Sequence, residues 1–309
     1  MAIITTGTAG LADTFKTMYA KELLMAAEPL LVHAQFGQKG KIVGGKTIEF
    51  RKFSALPTKT GVLTEGVTPA PDTLEMTKVT ATAEQVGAWV KRSDLAELTA
   101  YDPLSSETAR LQGDQAGRTY DYRIREVLST TTSIRYAAGR TSNGTITTAD
   151  VPTATDVKKI VRTLRKNGAK GFANLGSSFA AVIDSETEYD LMQTTEFTDA
   201  LKLNPAFVER FEGLYIGRAW GVEWFRSEEA KVFEGEGTGG IDVHSTIFVG
   251  EGAFGVYSLQ DIEVILKALG SAGADDPLNQ RASQGWKAAF ITVILDDAHM
   301  LSYRHAVSP

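Results

Sequence analysis

The sequence predicts an α+β protein of about two compact units, with a long strand pair projecting from one of them. Capped helical patterns are interleaved with short strand patterns, and 309 residues exceed the length of one typical domain. Residues 54–72 hold Pro57, Gly61, Gly66, Pro69 and Pro71 with few apolar residues, so this stretch cannot form a core of its own. Strand patterns flank it on both sides, which makes 46–92 a two-way excursion in the form of an extended hairpin.

The elements follow in order. Asp13 is placed to cap a helix to about Glu28, with Phe15, Met18, Tyr19 and Leu23 on its apolar face and Pro29 ending it. Thr47 to Arg51 alternates polar and apolar residues as a half-buried strand does, and Leu74, Met76, Val86, Ala88 and Val90 mark the returning strands. Asp102 before Pro103 announces a long helix, striped by Leu104, Leu111, Ala116, Tyr120, Ile124 and Leu128. Gly113 and Gly117 either weaken that helix or let a neighbour approach closely. Asn143-Gly144 signals a hairpin among Thr-rich residues. Thr155 is placed to cap a helix whose Val157, Ile160, Val161 and Leu164 share one face, with Asn167-Gly168 as its stop. A strand at Phe179 to Ile183, a helix from Ser185 to about Gln193, and strands near Tyr215 to Phe225 and Thr246 to Tyr257 complete a second unit. Trp286 to Leu295 and Met300 to Arg304 close the chain as β segments.

Composition removes several classes of function. Hydrophobic residues at 43% and charged residues at 23% fit a globular chain in water, and a net charge of -6 argues against a dedicated nucleic-acid reader. With no cysteine there is no disulfide, thiolate nucleophile or cysteine-bound zinc. Met1 to Gly10 carries no charge and does not read as a secretion signal, and Ala288 to Leu295 is too short for a membrane span.

The chemical motifs fare poorly. Gly40 to Thr47 spells a phosphate loop, but a working loop opens a helix and this one opens a strand. Gly235 to Gly240 spells a dinucleotide fingerprint, yet Ile241-Asp242-Val243 leads into strand, so a connection between strands is expected. His33, His244, His299 and His305 lack metal-protease spacing and read as surface or partly buried residues. Asp296-Asp297 reads as a solvated turn. Lys158, Lys159, Arg162, Arg165 and Lys166 gather on one side of the Thr155 helix. They form either a solvated face or a set of salt bridges to an acidic neighbouring subunit, since Glu186, Glu188, Asp190, Glu196 and Asp199 form an acidic stretch later in the same unit. No catalytic, cofactor or metal site is expected.

Several runs, in their order and spacing, carry a resemblance. They are Gly44-Gly45-Lys46-Thr47-Ile48-Glu49-Phe50, Trp89-Val90-Lys91-Arg92-Ser93-Asp94, and Asp276-Pro277-Leu278-Asn279-Gln280-Arg281 leading to Gly285-Trp286-Lys287. With them the chain resembles the N4-like family of tailed-phage major capsid proteins. Their shell fold, of the Hong Kong 97 type, is shared with herpesviruses and bacterial encapsulins.

The resemblance implies an N-terminal arm at 1–35, an extended loop at 36–92 and a peripheral domain with a spine helix at 93–150. An axial domain at 151–265 and a return to the peripheral domain at 266–309 would follow. It also implies self-assembly through hexamers and pentamers into an icosahedral virion shell around double-stranded DNA, touched weakly and non-specifically. Portal and scaffolding or decoration proteins would be partners, the host cytoplasm the place of assembly, and membranes would play no part. Intersubunit contacts are expected from Phe15, Tyr19, Val62, Leu63, Val67, Lys158, Arg162 and Arg165. The alternatives are an encapsulin-like compartment and a phosphate-loop nucleotide-binding enzyme.

Overall fold

A computed structural model describes residues 9–27, 30–42, 44–53, 56, 58–63, 65–66, 68–99, 104–202, 214–269, 271 and 276–308. Helix α1 spans Ala9–Ala27. It starts upstream of Asp13, the expected cap, because Ala9, Leu11 and Ala12 are good helix formers and carry the helix back by a turn. Strands β1 (Gln38–Lys41), β2 (Thr47–Phe53) and β3 (Met76–Thr82) follow. β2 and β3 pair antiparallel from Thr47↔Thr82 to Phe53↔Met76, giving the hairpin that the flanking strand patterns require. β4 (Glu84–Ser93) does not extend this hairpin, and its place is in a larger sheet described below.

Helix α2 (Asp94–Thr99) leads to the long α3 (Leu104–Leu128); the expected cap at Asp102-Pro103 lies outside the described residues. The buried face of α3 includes Ala116, Ile124 and Leu128 but also Gln112 and Asp121, whereas Leu111 is 54% exposed. Gly113 and Gly117 are close-approach positions. A Cβ on Gly113 would lie 2.7 Å from the Ala26 Cβ, and one on Gly117 would lie 2.7 Å from the Ala27 carbonyl oxygen, so α1 packs directly on the α3 backbone.

After the short β5 (Ile134–Tyr136), Asn143-Gly144 forms a 3-10 turn and not the expected hairpin. Neither residue takes the positive φ that a two-residue hairpin turn needs, and long-range bonds from Asn143 to Glu236 and from Arg304 to Asn143 hold the turn instead. Helix α4 (Ala154–Lys166) is capped by Thr153, two residues before the expected Thr155. The Thr153 hydroxyl accepts the Asp156 N–H at 3.2 Å while the Asp156 carboxylate reaches back to that hydroxyl, so Asp156 selects the cap. Gly168, at φ +81°, ends the helix as expected.

The remaining elements are β6 (Phe179–Ile183), α5 (Ser185–Gln193), α6 (Thr195–Lys202), β7 (Tyr215–Ala219), β8 (Val222–Arg226), β9 (Lys231–Phe233), β10 (Val243–Val249), β11 (Phe254–Lys267), β12 (Arg281–Ile294) and β13 (Met300–His305). The pattern at Thr246 to Tyr257 is therefore two strands, separated by a turn at Gly252 with φ +74°.

A seven-stranded sheet runs β5-β13-β10-β6-β8-β7, with β9 on β10. Every residue of β6 and β10 is buried, because both faces of this sheet are covered. Phe179, Ala181, Ile183 and Phe248 face a core with Val157, Ile160 and Leu164 of α4, while Ala180, Val182, Ile247 and Val249 face Ile124 and Leu128 of α3. A four-stranded sheet runs β1-β11-β12-β4 and packs Trp286, Ala288 and Phe290 against α3. The hairpin lies over the opposite face of this sheet, joining Phe50 and Val79 to Ile291 and Val293.

Candidate assembly surfaces

The hairpin carries the first of the expected contact residues at its tip. Lys52 on β2 pairs with Asp296 at 2.5 Å, which ties the hairpin to the sheet at the end of β12. Beyond Phe53 the loop is closed by a Lys59–Asp72 pair at 2.5 Å. Val62 is 97% exposed and Leu63 is 72% exposed, so these two expected contact residues present bare apolar surface. Val67, expected beside them, lies outside the described residues.

At the other expected surface, Tyr19 of α1 is half-buried, and the Phe15 side chain lies outside the described part. The segment after α1 is held by a buried pair. Asp121 of α3 accepts the His33 backbone N–H at 2.8 Å and bonds the His33 Nδ1 at 2.6 Å. No local pattern in the sequence points to this pair, whose members lie 88 residues apart.

The basic side of α4 divides. Lys158 pairs with Glu196 at 3.1 Å and Lys159 with Asp156 at 3.2 Å, so the acidic partner of this face lies partly within the same chain. Arg162 and Arg165 are exposed, with no ion pair among the described residues.

Three of the four histidines are fully buried, where surface or partly buried positions were expected. His244 sits between two carboxylates, its Nδ1 2.8 Å from Asp184 and its Nε2 3.3 Å from Glu186. Burial alone would lower its pKa, but the hydrogen bond and charge of Asp184, with Glu186 and Asp242 behind it, raise it. These three residues lie close enough to hold a metal ion. However, the carboxylates face opposite ring nitrogens, so one ion cannot bind all three as they stand, and the arrangement suits a protonated imidazole. His305, fully buried beside it, has its pKa pushed down to about 4 by burial. Asp296 and Asp297, expected as a solvated turn, are engaged instead. Asp296 caps the turn through the Ala298 N–H and pairs with Lys52, and Asp297 accepts the Thr131 and Thr132 hydroxyls.

The motif-like glycine runs hold no nucleotide geometry. Gly44 and Gly45, at φ +77° and +85°, turn the chain from β1 toward β2, and among the described residues no helix begins between Gly40 and Thr47. Lys46 lines a cleft of ≈ 840 Å³ together with Thr82, Glu84 and Gln260, where Glu84 would repel a phosphate. Gly235 to Gly240 connects β9 to β10, as expected.

A family model described as phage capsid protein matches residues 77–302, from β3 to β13. The chain belongs to the phage capsid protein family. It is a major capsid protein, a structural subunit of a bacteriophage shell. No curated protein matches this capsid protein.

Solved structures share its fold. The capsid of Ralstonia phage GP4 is 11% identical with a TM-score of 0.71, covering 89% of this chain and 88% of that one. The capsid of cyanophage P-SCSP1u is 14% identical at a TM-score of 0.63, covering 88% and 87%. The head of Helicobacter pylori bacteriophage KHP40 is 11% identical at 0.61, covering 89% and 88%. The α+β fold of this capsid protein is thus the tailed-phage capsid fold expected from its sequence.

Proposed function

We propose that this capsid protein assembles through hexamers and pentamers into an icosahedral shell around double-stranded DNA in the host cytoplasm. We assign it no catalytic role. In this reading the chain is of the N4-like branch, supported by the runs at 44–50, 89–94 and 276–287. Residues 1–35 act as the arm, 36–92 as the extended loop, 93–150 and 266–309 as the peripheral domain, and 151–265 as the axial domain. Portal and scaffolding or decoration proteins complete the partners, and Tyr19, Arg162 and Arg165 face neighbouring subunits.

The observation that carries this reading is the loop tip. Val62 and Leu63 are nearly bare although they are large and apolar. Burying such side chains contributes roughly 1.5–3 kcal/mol each, so a partner that covers them stabilises the contact at every repeat of a closed shell.

The test is to replace residues 55–73 by a tight turn. Circular dichroism melts should be unchanged, because this segment contributes nothing to the cores described above, while negative-stain microscopy should show particles lost or reduced. Normal particles from the shortened chain would refute the proposal.

A further inference from the structure

Strand register sets two histidines side by side in the seven-stranded sheet. His244 of β10 pairs with His305 of β13, and the two rings stack with centroids 6.3 Å apart. Both are buried. Two cations this close and this dry repel each other, so the hydrogen-bond partners decide which ring carries charge.

Those partners differ in kind. Both ring nitrogens of His244 face carboxylates, which only accept, so this ring is satisfied when both nitrogens carry hydrogen. His305 Nδ1 lies 2.9 Å from the Ala306 carbonyl oxygen, which also only accepts, so its hydrogen sits on Nδ1. In the neutral ring Nε2 then accepts the Thr246 hydroxyl, 3.0 Å away. The arrangement is one imidazolium beside one neutral imidazole.

The surrounding charges fit this assignment. Asp184 and Glu186 at the start of α5 and Asp242 ahead of β10 act on His244, while Asp184 and Asp190 act on His305 from further off. Tyr303, 5.1 Å from His305 on β13, is engaged with Asp156 of α4, and Arg304 donates to Asn143. Asp150 is bound by Arg140 and Thr147. Burial, and after it the charge of His244, keep His305 neutral.

The segment that follows β13 is the part that can give way. Residues 306–308 lie in no strand. The Ala306 N–H donates to the Asp150 carbonyl oxygen at 3.0 Å and the Ser308 N–H to the Asp190 carboxylate of α5 at 2.8 Å. His305 adds its own bond to the Ala306 carbonyl.

We propose that the two histidines form a proton latch: with one positive charge, on His244, residues 306–308 lie against α5, and a second charge, on His305, drives them off. The second charge finds no anion of its own in the buried site. Asp184 and Glu186 already serve His244, and Asp190 serves the Ser308 N–H. Opening the end of β13 brings His305 into water, and the bonds to Asp150 and Asp190 go with it.

Ser308 is exposed and the chain contains no cysteine, so Ser308→Cys takes a nitroxide spin label at a single place. Electron paramagnetic resonance of the whole chain reads the label's mobility as pH is lowered, with far-UV circular dichroism recorded on the same samples. His305 titrates near 4 when buried and at 6.5 in water, so as pH falls through that interval the open segment takes up a proton that the closed one refuses. The ratio of open to closed should rise roughly 200-fold between pH 7 and about pH 3.5. The label should pass from slow to fast motion while the circular dichroism stays native.

His305→Gln keeps a neutral donor and acceptor but cannot take the proton, so its label should stay slow throughout. His244→Gln removes the competing charge and should show a smaller rise than the parent. A parent label that stays slow, or is already fast at pH 7, would overturn the latch. Loss of the circular dichroism signal at the same pH would overturn it too, because the event is then global unfolding. So would a rise equal to the parent's in either variant.

Discussion

Adding a methyl group to helix α3 should destabilise this capsid protein, although helix propensity alone predicts the reverse. Ala in place of Gly in a helix interior stabilises by about 1 kcal/mol. At Gly117 the new Cβ would lie 2.7 Å from the Ala27 carbonyl oxygen, and at Gly113 2.7 Å from the Ala26 Cβ, against a normal contact of roughly 3.4 Å or more. Helix α1 would have to move outward, and such overpacking costs about 1–3 kcal/mol. Backbone atoms cannot swing aside as side chains do, so the upper end of that range applies. Each of Gly113→Ala and Gly117→Ala should therefore lose about 2 kcal/mol net. Urea denaturation followed by circular dichroism measures this through the shift in midpoint. In a chain starting at residue 28, where α1 is gone, the same substitutions should instead stabilise by about 1 kcal/mol. Stabilisation in both backgrounds would refute the close packing of α1 on α3.

Asp121→Ala leaves the buried His33 ring and its backbone N–H without their acceptor, and should cost about 3–5 kcal/mol by the same denaturation assay; a loss under about 1 kcal/mol would sink this reading. Acidification should destabilise the fold through His305. Its folded pKa is near 4 against 6.5 for the free side chain, so as pH falls through that interval the unfolded chain takes up a proton that the native state refuses. The loss amounts to about 3 kcal/mol once pH is below about 4. Its neighbour His244 acts in the opposite sense. Its raised pKa supplies stability below the free value that fades as pH rises through the folded one. Melting temperatures of His305→Phe between pH 4 and 6.5 should show a flatter slope than the parent, and an unchanged slope would show that His305 is not the responsible group.

Local patterns determined much of this protein without any structure. The face of α4, Val157, Ile160, Val161 and Leu164, is buried as its spacing requires, and Gly168 stops the helix where the sequence places the stop. The hairpin, β6 and α5 follow their patterns for the same reason, that period, cap and turn chemistry act between residues a few positions apart. Only the tertiary structure decided what met across long separations. Gln112 lies buried because its side-chain amide donates to the Gln284 carbonyl, 172 residues away. Asp121 is buried because His33 comes to it, and Leu111 stays exposed although it shares the apolar stripe. Asn143-Gly144 obeys Glu236 and Arg304 and not its own turn propensity. Gly285 reads alone as a weak point in a strand, and only the register of β11 and β4 brings Ile265 and Trp89 to its two sides. Register couples distant segments through backbone hydrogen bonds that carry no side-chain signature, so a single chain's residue order cannot reveal which strands will be neighbours.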